Sequence, residues 1–147
     1  MGQVPSGPTQ NTLFDLHRSF GFLILVLAVI RWANRLAGGT PRAFPVEPAW
    51  KRVAAHAVHE LLYVLLLVMP ILGWVGTSAY GATIRVFWLF DLPALVAKDE
   101  ALAEQLLSLH ATLGLVMGGL VVIHIAAALH HQFVLRDPVL TRMWRGA

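Results

Sequence analysis

Residues 106–133 read LLSLHATLGLVMGGLVVIHIAAALHHQF, a run with no Asp, Glu, Lys or Arg. A helix needs roughly 20 apolar residues to cross a hydrocarbon core, and this run has them. Two histidines, His110 and His124, lie inside it. A neutral imidazole in hydrocarbon needs a hydrogen bond or a metal. The two are 14 residues apart. On a helix that spacing turns through about 1400°, which leaves them about 40° apart on one face, with a rise of about 21 Å. One therefore belongs near one interface and the other in the opposite half of the bilayer. A single metal ion cannot use both. Two metal-centred groups stacked across a membrane can.

The rest of the chain agrees with a membrane setting. Of 147 residues, 57% are apolar and 13% charged, and mean hydropathy is +0.67. Soluble domains average roughly 45–50% apolar and 25% charged. The length suits one domain of three or four spans. There is no cysteine. This excludes disulfides, thiolate zinc sites, cysteine-held iron–sulfur clusters, a cysteine nucleophile and covalent haem attachment. Net charge is +3, with nine arginines against two lysines. With so few charges, that excess points to a membrane rather than to nucleic acid.

Working outward from 106–133, two further spans are expected, at 17–36 and 53–76, within a single membrane domain covering 1–147. Pro70 falls inside the second span, where neighbouring helices can repair the backbone. Residues 1–16 are rich in Gly, Pro, Thr and Asn and read as an extracytoplasmic coil without a signal-peptide pattern. Residues 37–52 have loop composition. The patch Val86–Phe90 is too short to span and is expected at the interface. Trp74, Tyr80 and Trp88 read as aromatic-belt residues. The 31–52 region carries Arg31, Arg35, Arg42, Lys51 and Arg52, and the tail carries Arg136, Arg142 and Arg145. By the positive-inside rule the 31–52 loop and the C-terminus are cytoplasmic, and the N-terminus and the 77–105 loop are outside.

Seven histidines, His17, His56, His59, His110, His124, His130 and His131, stand among only nineteen Asp, Glu, Lys and Arg residues. His17 opens the first span at the level expected for His110. Gly21 follows His17 by four residues and Gly114 follows His110 by four, so each glycine shares its histidine's helix face. A macrocycle held by an axial histidine lies against the helix beside its ligand, and a glycine there clears space. His17 and His110 therefore read as the axial pair of one b-type haem. For His124 the corresponding small residue is Ala128. Other readings compete. His17 can be a polar interface anchor, His124 a hydrogen-bonded core histidine, and Gly114-xxx-Gly118 a plain helix-packing motif. His56 and His59, beside Glu60, fit an interfacial or supporting role as well as ligation. His130 and His131 abut the basic tail and read as headgroup-level residues.

The segments LFDLHRSFGFLILVLAVIRWANRL (13–36), AHAVHELLYVLLLVMPILGW (55–74) and LHATLGLVMGGLVVIHIAAALHHQFVLRDPVLTRM (109–143), in that order, resemble the bacterial cytochrome b561 family. The resemblance implies an all-α integral membrane bundle, up-down-up-down with four helices, of which three are present here. It implies two b haems, one near each membrane face, each held by two histidines. It also implies electron transfer involving quinone, including superoxide oxidation coupled to quinone reduction in some members. Carried over, His17 and His110 ligate the outer haem, and His124 is a ligand of the inner one. The family's partner of His124 lies on a first helix that precedes His17. The expectation is that Met1 is an internal methionine at the end of that helix and that His124 has no partner in this chain. His56 and His59 match a histidine pair near the inner haem that is outside the usual axial set. Arg18 is a candidate for a haem propionate, while Arg31 and Arg35 mark the cytoplasmic boundary or serve the inner haem.

Three function classes follow. The first is a quinone-linked cytochrome of the bacterial inner membrane, working with lipid, quinone and a redox partner protein or a second copy of itself. The second is a membrane anchor subunit of a dehydrogenase or hydrogenase, docked through the 77–105 loop. The third is a histidine-based metal transporter, which the near-absence of acids within the spans disfavours. For superoxide, Arg18, Arg85 and Lys98 are the outer cations that could steer the anion, with acids nearby. No Ser-His-Asp set, phosphate loop or paired carboxylates appear at usable spacing, and no basic stripe suggests nucleic acid.

Overall fold

The computed structural model describes residues 7–38 and 48–136. Arg42 in the basic loop and Arg142 and Arg145 in the tail lie outside the described residues. Three long helices follow one another: α1 (Pro8–Gly38), α2 (Ala49–Tyr80) and α3 (Glu100–His130), with α3 continuing as a π-turn over His131–Leu135. A two-stranded antiparallel hairpin, β1 (Ile84–Val86) and β2 (Phe90–Leu92), fills the connection between α2 and α3. All three helices are long and apolar enough to cross a membrane.

The helices exceed the expected spans at most ends. Residues 8–16, expected as coil, are the first turns of α1. Proline suits the first helical position, where its missing N–H is not needed. Behind it the Asn11 N–H reaches the Gly7 carbonyl at 3.1 Å. At the far side, α3 begins at Glu100 rather than 106. Its N-cap is Asp99, whose carboxylate accepts from the Leu102 N–H at 3.0 Å. α2 runs through Pro70 and stops at Gly81, whose φ of +84° lets its N–H turn back onto the Ser78 carbonyl.

α2 is the central helix. It packs along both α1 and α3, while α1 and α3 barely touch. No residue in the most apolar stretch of α3 is buried, and Leu115 is 81% exposed. Such a surface calls for an apolar surrounding, as hydrocarbon provides. The chain is thus a multi-pass helical membrane protein.

The α2–α3 contact keeps a constant antiparallel register. Cβ atoms placed on α2 glycines show it: at Gly76 one would meet the Leu107 side chain, and at Gly73 the His110 ring. A Cβ at Gly114 would meet the Met69 side chain, and His59 meets His124. Each step along α2 is matched by an equal step back along α3.

The hairpin is tied to α1 by one side chain. Ser19 is 1% exposed. Its hydroxyl accepts from the Phe87 N–H at 2.8 Å and donates to the Asp15 carbonyl at 2.7 Å. Phe87 and Trp88 both have positive φ, +45° and +60°, a costly conformation for bulky residues. Edge-to-face contacts of Phe20 with Phe87 (5.3 Å) and of Phe22 with Phe90 (6.1 Å) hold the turn on α1. Across the hairpin Arg85 stands opposite Asp91 and donates to both its carboxylate oxygens. That hydrogen-bonded guanidinium pulls Asp91 below the ordinary carboxylate range. The pair's small contribution is therefore present at neutral pH and fades as pH falls through the lowered value.

Ser19→Ala leaves the Phe87 N–H without its acceptor inside the α1–hairpin contact. An unsatisfied buried donor costs about 1–3 kcal/mol. The expected result is a lower unfolding midpoint in detergent, with faster amide exchange confined to the hairpin; an unchanged exchange rate at Phe87 would show that Ser19 is not the tie.

Candidate functional site

Two histidine pairs form, one toward each end of the bundle. At the hairpin end, His17 of α1 faces His110 of α3, with ring centres 5.9 Å apart and planes at 88°. This contact bridges two helices that otherwise barely meet. At the other end, His59 of α2 faces His124 of α3, with ring centres 5.1 Å apart and planes at 76°. His124, expected to lack a partner in this chain, thus has one neighbouring imidazole from α2.

The orientation of His110 is fixed by the backbone of α2. Its Nδ1 lies 3.0 Å from the Met69 carbonyl oxygen. A carbonyl only accepts, so Nδ1 carries the proton and donates. In the neutral ring, Nε2 is then left with a free lone pair. Histidines that ligate metals almost always donate their second nitrogen in this way. Gly73 makes the approach possible. A Cβ there would stand 3.2 Å from Cε1 of His110 and 3.4 Å from its Nδ1. Neither Met69 nor Gly73 was singled out in the sequence, because the signal needed was the α2–α3 register rather than a motif.

A Cβ at Gly21, beside His17, would meet nothing within 4 Å, and one at Gly114 would meet only the Met69 Cε, at 3.5 Å. His17 is itself exposed and His110 half-buried. Arg18 lies one residue from His17; its guanidinium is 3.6 Å from Asp15 and over the Phe14 ring. The other cations of that end are paired too, Arg85 with Asp91 and Lys98 with Glu100.

Around the second pair, Arg35 is hydrogen-bonded to Glu60 and lies over the Tyr63 ring at 4.7 Å. Arg31 donates to the Tyr63 hydroxyl at 3.3 Å. His56, one turn before His59, is exposed and joins neither pair. His130 and His131 contact each other in the last turn, at 6.3 Å. Among the described residues no three His, Cys, Asp or Glu side chains gather as a metal cage; the histidines meet two by two.

Metal–imidazole bonds run roughly 2 Å, so a metal between two coaxial imidazoles sets their ring centres roughly 6 Å apart. His17 and His110, with ring centres 5.9 Å apart, are the two side chains at this end that could hold a metal-centred group.

A family model described as prokaryotic cytochrome b561 matches residues 1–146. The chain is 37% identical over 129 residues to cytochrome b561 homolog 2 of Escherichia coli, covering 88% of this chain and 69% of that protein. It is 28% identical over 143 residues to cytochrome b561 homolog 1 of the same organism, covering 97% and 81%. It is also 31% identical over 128 residues to a Yersinia pestis protein named as a probable superoxide oxidase, covering 87% and 72%.

Gly73→Val should crowd the His110 ring off the Met69 carbonyl. In ¹⁵N-histidine NMR the native protein should show one histidine protonated at Nδ1 alone, and the variant a mixture of tautomers. Gly21→Ala, with open space for its Cβ, should leave that signal unchanged.

Proposed function

The chain belongs to the prokaryotic cytochrome b561 family, and on that footing we propose that it is a b-type cytochrome exchanging electrons with membrane quinone. The observation that carries this reading is the His17–His110 pair, spaced at 5.9 Å with the His110 tautomer set by Met69. Haem b bound there would supply one-electron redox chemistry in a low-dielectric setting.

The chain's own residues do the rest. His17 and His110 would hold the haem iron. Met69 and Gly73 aim the His110 ring, and Gly21 and Gly114 keep the adjoining helix faces low. Arg18 stands beside His17 for an anionic propionate. A site between membrane-spanning helices suits a lipid-soluble quinone as partner, and its reduction takes two electrons and two protons. The basic end of the bundle is cytoplasmic by charge asymmetry, which puts the hairpin and His17–His110 on the outer side of a bacterial inner membrane. Superoxide is one donor of fitting chemistry: two superoxide anions yield two O₂ and two electrons, which with two protons convert one quinone to quinol. Arg18, Arg85 and Lys98 each sit beside a carboxylate, so their pull on an approaching anion is damped.

The detergent-purified protein should show a reduced b-type spectrum that quinol or superoxide can elicit. His17→Ala and His110→Ala should lose the same spectral component and the same haem equivalent. If both variants keep native haem content and spectrum, the ligand assignment fails.

A further inference from the structure

We propose that Arg31, Arg35 and Tyr63 form a seat for the phosphate of one anionic phospholipid, at the end of the bundle away from the hairpin. The inference needs only the membrane-spanning fold and stands apart from the cytochrome reading. Arg31 and Arg35 are one turn apart on one face of α1. Both come down on Tyr63 of α2. The Arg31 Nε donates to the Tyr63 hydroxyl at 3.3 Å, and the Arg35 guanidinium lies over the ring at 4.7 Å. Arg35 also donates to Glu60, one turn earlier on α2. Two guanidiniums therefore stand against one carboxylate, and the cluster keeps a net positive charge. Arg35 is the neutralised member. Arg31 is exposed, and among the described residues its two terminal nitrogens have no partner. The Tyr63 hydroxyl accepts from Arg31 and still has its own proton to donate.

A phosphodiester matches this cluster. It carries a single negative charge, and its oxygens can take the parallel N–H groups of a guanidinium as a fork. The surface beside the seat selects a lipid over free phosphate. Ile24 and Leu27 lie on the Arg31 face of α1, seven and four residues back, and are 41% and 55% exposed. Both belong to the charge-free run Phe20–Ile30, so an acyl chain can lie along them while its headgroup sits at Arg31. The long Arg31 side chain can keep its stem on that apolar surface and its charge at the headgroup level. On α2, Leu61 and Val64 are exposed on either side of Tyr63 in sequence. The charge of this end favours an anionic lipid over a zwitterionic one. Lys51 and Arg52 lie in the first turn of α2, and basic side chains at a membrane surface attract anionic headgroups.

The test is native mass spectrometry of the detergent-purified protein with added phosphatidylglycerol, phosphatidylcholine or inorganic phosphate. One phosphatidylglycerol should be held tightly and phosphatidylcholine weakly, and inorganic phosphate should not displace the lipid. Arg31→Gln should weaken phosphatidylglycerol binding roughly tenfold, the loss of a charge-assisted hydrogen-bonded contact. Arg31→Lys should recover part of it, because the charge returns without the fork. Glu60→Gln separates the proposal from simple damage to the fold: by freeing Arg35 it should tighten phosphatidylglycerol binding, a gain that lost packing does not predict. The proposal is overturned if Arg31→Gln binds phosphatidylglycerol as the native chain does, if phosphatidylcholine is held equally well, or if inorganic phosphate displaces the lipid. It is also overturned if Arg31→Gln sheds haem and leaves phosphatidylglycerol binding unchanged, because the guanidinium then serves the cofactor.

Discussion

A neutral imidazole inside hydrocarbon has to place its one N–H on an acceptor, and for His110 that acceptor is the Met69 carbonyl. The helix that supplies it is already using its carbonyls for its own ladder, and carbonyl oxygens have a second lone pair to offer. The bond is reached because Gly73 carries no side chain. From this contact follow the ring's direction, its tautomer and its meeting with His17.

The same register explains why α2 is the central helix. α1 and α3 pack on it from two sides and stay apart from each other. One imidazole contact, His17 with His110, joins them. At the hairpin end the tie through Ser19 holds a turn of Phe87 and Trp88 in backbone conformations those residues resist.

Much of this was legible in the chain. The spans announce themselves because hydrocarbon tolerates no charge and demands long helices. The pairing of His17 with His110 follows from helical spacing and from two matching glycines. What escaped reading was of two kinds. The first turns of α1 look like coil in sequence because Pro and Thr lower helix propensity, a weak term beside the helix that follows. The hairpin was hidden because its turn holds Phe87 and Trp88, where hairpins of this sort advertise themselves with Asn or Gly. The mirrored alternation in Ile84-Arg85-Val86 and Phe90-Asp91-Leu92 was the available clue. The approach of His59 to His124 lay beyond any single segment. It is a property of two helices in register, visible only when positions on α2 and α3 are counted in opposite directions.

Both histidine pairs draw one member from α3, and α3 is the last of the three helices to leave the ribosome. Until it is inserted, His17 on α1 and His59 on α2 are without the α3 imidazoles they face in the finished fold. Neither pair can exist on a nascent chain that ends before residue 110, and the pair at the far end must wait for residue 124. Biogenesis is therefore ordered by chain direction: His17 gains its partner first, and His59 gains its own about four helical turns of synthesis later.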